Sequence, residues 1–492
     1  MRIFVISDLH LGGRPHSPLA DGLPGSQICS SYQELIRFID WVAEIKEDGV
    51  QLVVNGDIVD FLMEDDYGFC NEVAPWLPDE SQVLKKLQAI IERTRQDDGR
   101  SPFDAMATLL ARGKALTFML GNHDVELSLP AVRRYLEDEV LKVGMQGRFR
   151  FIYDGEAYVV GDLLIEHGNR YDPWNVIDHS SLRQERSMLS RGWGVAMRAR
   201  ASGHFTPPPG SLMVTQVINR LKQKYRFVDL LKPENHAVVP ILLAIHPNLQ
   251  HVLTSTLRFM DQSNNEFIGV GEPMQSGQLS ARGMKRAFDL QTSLALALEP
   301  DEAEKFKVCS ASEGQLGVSD AWEKLKRRSA NISAYINDAL GLFTNAATNA
   351  AVEVRNELLR IALASWRGKL AIDQSHEEPA YLDAVQELID RGGFGCVVFG
   401  HTHLPKELTL ASAGRRAKYI NTGTWVDVMQ IPQEILEPGM AASVKFGRFI
   451  RDIQENRIGE YLVRQLSYAD VVMENGLVVS SKLCRYQDAH DA

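Results

Sequence analysis

Five short apolar runs in this chain each end in a small polar cluster of Asp, His or Asn, and no other feature restricts its possible folds as much. Ile3-Phe4-Val5-Ile6 leads into Ser7-Asp8-Leu9-His10, Leu52-Val53-Val54 into Asn55-Gly56-Asp57, and Thr117-Phe118-Met119-Leu120 into Gly121-Asn122-His123-Asp124. Leu163-Leu164-Ile165 leads into Glu166-His167-Gly168-Asn169, and Cys396-Val397-Val398-Phe399 into Gly400-His401-Thr402-His403. Short β-branched runs bounded by glycine and polar residues read as buried strands. Between them, Glu34–Ile45 and Gln82–Ile91 carry apolar residues at helical spacing. The resulting β-α-β-α-β alternation predicts an α/β layered fold. In open α/β sheets, ligands bind beyond the carboxyl ends of strands, so all five clusters are expected on one edge.

From Phe149 to Glu166 the pattern changes to short strands with turns at Asp154-Gly155 and Gly161-Asp162, which predicts adjacent antiparallel pairing in a second sheet. The core pattern then breaks off and resumes at Cys396–Phe399 and Lys418–Ile420. The interruption has helical periodicity at Val214–Tyr225, Val238–Leu253, Ala321–Ala339 and Ala347–Ala364. The expected plan is a core from residues 1–175, a helical insertion or cap from 176–393, and the rest of the core with C-terminal strands from 394–492. Glu460–Gln465 and Leu477–Ser481 read as two of those strands.

A chain of 492 residues with 45% apolar and 24% charged residues can build a large core without disulfides. Its five cysteines are scattered with no CxxC pair, which points to inert thiols in a reducing compartment. Strand-like sequence begins at Arg2, leaving no room for a signal peptide, and the apolar stretch Val238–Leu249 is too short to span a bilayer. These features predict a cytoplasmic protein without a transmembrane segment. The net charge of −11 counts against general nucleic-acid binding. The locally basic stretch Arg183–Arg226, with Arg191 and Arg198, reads as a solvated helix face, a surface for an anionic substrate, or a peripheral contact with anionic lipid.

Asp, His and Asn together supply hard oxygen and borderline nitrogen donors, which suit Mn, Fe, Zn or Ni better than Ca or Mg. Asp8 and His10 are expected on one side of an extended strand end, because side chains there alternate with period two. Taken singly, Asp57 reads as a helix cap, Asn122-His123-Asp124 as a turn and His167 as a core histidine. The ordered set of five does not read that way.

The series D-x-H, G-D-x-x-D, G-N-H-D, H-G and G-H-x-H resembles the calcineurin-like metallophosphoesterases, over about the first 175 residues and from about 394 to 430. That resemblance implies a layered β-sandwich flanked by helices, with the helical insertion added. It also implies a dinuclear centre: one metal on Asp8, His10, Asp57 and His403, the other on Asp57, Asn122, His167 and His401, with Asp57 bridging. The ions would be two divalent metals, manganese first, with Fe, Zn or Ni as alternatives. A metal-bound hydroxide would be the nucleophile, between ions about 3.5–4 Å apart. His123 would protonate the leaving oxygen with Asp124 orienting its ring, and Asp60 would stand behind the ligands. The implied activity is phosphatase or phosphodiesterase, on a phosphorylated small molecule or a lipid-linked substrate. Ser7–Gly12 and Gly400–His403 are also similar to enzymes that cleave the pyrophosphate of UDP-diacylglucosamine, which carry Arg where this chain has His123. A nuclease of the same family and a non-catalytic scaffold are the alternatives.

Overall fold

A computed structural model of the protein describes residues 1–15, 26–63, 76, 79–141, 148–172, 174–194, 197, 205–208, 210–211, 214–232, 238, 241–242, 245, 352–364, 373–412 and 414–487. The expected helix Ala321–Ala339, most of Val238–Leu253, and Arg198 lie outside the described residues. The chain divides into two compact units. One comprises Met1–Thr215, Ile372–Val428 and Val463–Ala492, and the other Gln216–Ala371 and Met429–Leu462. The first unit is an α/β fold and carries all seven expected metal ligands.

Two sheets form its centre. In the first, β1 (Arg2–Ile6), β2 (Val50–Asn55), β3 (Ala115–Met119) and β4 (Phe149–Ile152) are parallel neighbours in that order. The strands Ser467–Glu474 and Leu477–Arg485 continue it antiparallel beyond β1. The second sheet comprises β5 (Tyr158–Val160), β6 (Leu163–Ile165), β7 (Cys396–Phe399), β8 (Lys406–Ser412) and β9 (Arg415–Asn421). Their spatial order is β5-β6-β7-β9-β8, with β6, β7 and β9 parallel. The expected edge is therefore built from two sheets: three of the five polar clusters follow strands of the first and two follow strands of the second.

Period-two alternation explains how the sheets meet. Ile3, Val5 and Val53 pack against Leu163, Ile165, Cys396, Val398 and Ile420 of the second sheet. Phe4, between Ile3 and Val5, faces the other way, onto Trp41 at 5.3 Å between ring centroids. Trp41 belongs to α1 (Tyr32–Glu44), which buries Leu35, Phe38, Ile39 and Val42 at helical spacing. The helix Pro379–Gly392 buries Tyr381, Val385 and Ile389 against Leu164, Val397, Phe399 and Tyr419 of the second sheet. Burying each such Val, Leu or Ile contributes about 1.5–3 kcal/mol, and a one-residue slip would turn the whole set outward.

Local chemistry sets the remaining helices. Asp79 caps α2 (Glu80–Arg93) by accepting from Ser81 N, and Ser101 with Asp104 forms a capping box for α3 (Pro102–Ala111). Proline at the first position of α3 was the available signal for a helix not expected from periodicity. Next come α4 (Pro130–Leu141) and α5 (His179–Ser190), the latter capped by Asp178. Two expectations need correction. Phe149–Ile152 does not pair with the strands that follow it but extends the first sheet parallel to β3, leaving only β5 and β6 as a neighbouring antiparallel pair. Glu460–Gln465 is not one strand, because the 3₁₀ turn Gly459–Tyr461 precedes a strand of only Leu462 and Val463.

In the second unit, Arg360 of the helix Val352–Ala364 pairs with Glu357 and donates to the carbonyls of Leu436 and Glu437. Glu357 also accepts from Ser443 on the helix Met440–Gln454. Among the described residues no helix is long and apolar enough to cross a membrane. Cys29 and Cys396 are buried free thiols, and burial pushes each up to about 12, far from thiolate reactivity at neutral pH.

At the start of α5, burial and then the guanidinium groups of Arg170 and Arg186 push His179 down to about 4, from an ordinary 6.5. Because the folded value lies below the unfolded one, the neutral imidazole supports the fold above pH 6.5. That support fades as pH falls from 6.5 through about 4, by up to about 3 kcal/mol. His179→Gln is expected to flatten the dependence of the urea midpoint on pH across this window. Parallel curves for the two proteins would rule the contribution out.

Candidate metal centre

The loops that leave the strands are held in conformations that L-residues rarely adopt. Asp8, His10, Asp57, His401 and His403 have φ of 54°, 43°, 51°, 71° and 60°. Only Asn456, Leu466 and Asn475 share this property among the other described non-glycine residues. Such strain costs on the order of 1–3 kcal/mol per residue and persists where surrounding structure imposes it. The imposing contacts are visible. Asp8 N donates to Gly56 O at 3.2 Å and His10 N to Asp57 O at 2.9 Å. Gly400 N donates to His167 O at 3.0 Å, and His401 N to Asp8 Oδ2 at 2.9 Å. Thr424 Oγ1 and Trp425 N donate to Asp8 O, so the Thr422–Trp425 segment supports this edge. Asp8 and His10 are thus placed by left-handed turns, not by the pleat of an extended strand.

Three groups of potential donors result: Asp8, His10 and His403; Asp57, His167 and His401; and His10, Asp60 and His123. Within each, the ligating atoms all lie within 4.8 Å of one another. His403 Nε2 lies 3.0 Å from His10 Nε2 and 3.4 Å from Asp8 Oδ1. Asp57 Oδ2 stands between the first two groups, 3.6 Å from His10 Nε2 and 3.2 Å from His167 Nε2. His401 and His403, two residues apart, point into different groups. Asn122 is buried beside them, and its Nδ2 donates to Asn175 Oδ1 at 3.3 Å.

The donor set suits a cation on its own electrostatics. Asp8, Asp57, Asp60 and Asp124 are almost wholly buried, and among the described residues no Lys or Arg pairs with any of them. Burial and the neighbouring Asp57 raise Asp8 above the usual carboxylate range, although His167 and His10 oppose the shift. Burial opposes ionisation of Asp57 too, yet His167, His123 and His10 hold it well below that range. Burial would lower His167, but the Asp57 and Asp8 carboxylates push it up to about 10. Asp8 Oδ1 and Asn122 Oδ1 are buried without a hydrogen-bond partner. Unpaired buried acceptors are costly, and a cation among them would remove the penalty.

Asp124 was expected to orient the His123 ring, but its carboxylate bonds to backbone. Its carboxylate accepts from Gly121 N and Ile58 N, both at 2.7 Å, and so ties the two ligand loops together. Burial and then Asp57 push Asp124 up to about 8. The His123 ring pairs with Asp60, Nδ1 to Oδ2 at 3.0 Å, and the same oxygen is 2.8 Å from His10 Nδ1. Asn169, Arg170, Asp172 and Asn175 follow His167. Asp172 Oδ2 is 3.1 Å from His401 Nε2, while Arg170 faces outward and pairs with Glu166 at 3.4 Å.

Close approach explains the glycines. A Cβ on Gly121 would collide with Asp57 Oδ1, and one on Gly400 with Ser7 Oγ. Gly121→Ala is expected to displace Asp57 and lower metal affinity at least tenfold with the fold retained. Unchanged metal titration would refute the steric argument.

The first unit is therefore an α/β fold whose strand-end loops form groups of His and Asp side chains able to bind metal. Residues 1–231 match the calcineurin-like phosphoesterase family model. No curated protein matches the chain. The family and the donor groups together support metal-dependent hydrolysis of a phosphoester.

Proposed function

We propose that the chain is a phosphatase or phosphodiesterase with a dinuclear metal centre, one ion held by Asp8, His10, Asp57 and His403 and the other by Asp57, Asn122, His167 and His401. The observation that carries this reading is the Asp57 carboxylate, whose Oδ2 lies 3.6 Å from His10 Nε2 of one group and 3.2 Å from His167 Nε2 of the other. The N/O donor set favours manganese, with Fe, Zn or Ni as alternatives. Bound ions would neutralise phosphoryl oxygens and bring the pKa of water toward neutrality.

The chain's own residues supply the rest. His123 is partly exposed with its Nδ1 in contact with Asp60, and in this reading its imidazole would protonate the leaving oxygen. Asp60 holds His10 by the same oxygen and so fixes the distance between a ligand and the proton donor. Asp124 fixes the Gly121 and Ile58 backbones that aim Asn122 and Asp57. A phosphorylated small molecule or lipid-linked phosphate ester is the substrate class, and the cytoplasm is the compartment, in keeping with free Cys29, Cys396 and Cys484.

The test is a panel of p-nitrophenyl phosphate, bis-p-nitrophenyl phosphate, a cyclic nucleotide, a UDP-sugar and single-stranded DNA, assayed with and without added manganese. Manganese-dependent cleavage of a monoester or small diester is expected. Robust DNA degradation would favour a nuclease, and no cleavage by the metal-loaded protein would favour a scaffold.

A further inference from the structure

The segment after His167 contains a hydrogen-bonded chain that reaches two ligands from different strands. Asp172 Oδ2 is the partner of His401 Nε2 at 3.1 Å. The same oxygen accepts from Asn175 Nδ2 at 2.7 Å, and Asp172 Oδ1 accepts from Trp174 N at 2.9 Å. Asn175 Oδ1 in turn accepts from Asn122 Nδ2 at 3.3 Å. The main chain of Asn175 is anchored as well, since Asn169 Nδ2 donates to its carbonyl at 2.8 Å and Asn175 N donates to Asp172 O at 2.9 Å.

Both ends of this chain have the same chemical consequence. A carboxylate can only accept, so Asp172 fixes the proton of His401 on Nε2 and leaves the lone pair on Nδ1. An amide whose nitrogen is engaged presents its oxygen elsewhere, and Asn122 Oδ1 is the buried atom without a hydrogen-bond partner. One loop thus sets the tautomer of an imidazole and the flip of an amide, in each case so that a lone pair is offered to a cation. Both ligands belong to the same proposed metal position. The ligand contacts of this loop run to His401 and Asn122.

We propose that Asp172 and Asn175 are positioning residues for one metal position only, the one that uses Asn122, His167 and His401, so that this loop sets the difference in affinity between the two ions. The inference rests on the dinuclear reading above. Partners of this kind, behind metal ligands, typically change metal affinity about 10- to 100-fold when removed.

Manganese titration of the purified full-length chain by calorimetry, with electron paramagnetic resonance of the coupled pair, tests it. The wild type is expected to bind two ions and show the coupled signal. Asp172→Ala should weaken one site about 10- to 100-fold, leave the other within about twofold, and replace the coupled signal by that of an isolated ion. Asn175→Ala should weaken the same site. Asp172→Asn, which keeps an acceptor for His401, should recover most of the loss, which a merely structural defect would not produce, and it serves also if the alanine variant does not fold. Wild-type affinity at both sites in Asp172→Ala, equal weakening of both sites, or no recovery in Asp172→Asn would overturn the proposal while leaving the dinuclear reading intact. A wild type that binds fewer than two ions would end that reading, and this inference with it.

Discussion

Asp57→Asn is expected to reduce turnover at least about a thousandfold and to abolish high-affinity binding of both ions, with the fold preserved. The substitution is isosteric, so it tests charge and not shape. Asp57 Oδ1 accepts from His123 N at 2.8 Å, and an amide oxygen can keep that bond. What disappears is the carboxylate placed between the two donor groups, and with it the charge shared by both ions. Losing about 4 kcal/mol of transition-state stabilisation corresponds to that thousandfold change. In the metal-free protein His167, His123 and His10 hold the Asp57 carboxylate ionised despite its burial, so deleting that charge removes favourable pairing and should lower the melting temperature near neutral pH. Manganese should raise the wild-type melting temperature and leave that of Asp57→Asn unmoved, because only a ligand bound to the native state stabilises it. Retained binding of both ions by the variant would remove Asp57 from its bridging position.

His123→Ala should behave differently: two ions bound with wild-type affinity, and kcat lower by about 10²- to 10⁴-fold. The loss should be greatest for alkyl phosphates and smallest for p-nitrophenyl esters, whose leaving group needs little protonation. Asp60→Asn distinguishes this role further. Asp60 Oδ2 contacts both His10 and His123, at 2.8 and 3.0 Å, so its replacement should damage metal affinity and leaving-group dependence together. Loss of metal from His123→Ala, or equal effects on good and poor leaving groups, would contradict the assignment.

The seven proposed donor positions stood out in the sequence because each lies two to four residues beyond a buried strand, where apolar run and polar cluster are contiguous. Their meeting in space depends on two facing sheets, and the sequence pointed to the second only through the short strands between Phe149 and Glu166 and the resemblance to a layered sandwich. Asp124 illustrates how adjacency misleads. It follows His123, but successive residues of a tight turn point apart, and the carboxylate turns to Gly121 N and Ile58 N. Asp60, sixty-three positions before His123, is the residue that reaches its ring. Asp172 and Asn175 stood out in the sequence only as polar residues just after His167 that could line a substrate pocket, because the contact of Asp172 with His401 spans 229 positions and follows no spacing rule. The grouping of Met429–Leu462 with Gln216–Ala371 is likewise set by tertiary contacts, not by periodicity.

The central claim is that Asp57 joins two ions. Anomalous scattering from crystals grown with manganese measures this directly. Two peaks per chain are expected, one on either side of the Asp57 carboxylate, the first touching Asp8, His10 and His403 and the second Asn122, His167 and His401. A single peak, or manganese bound elsewhere with these side chains unliganded, would contradict the account.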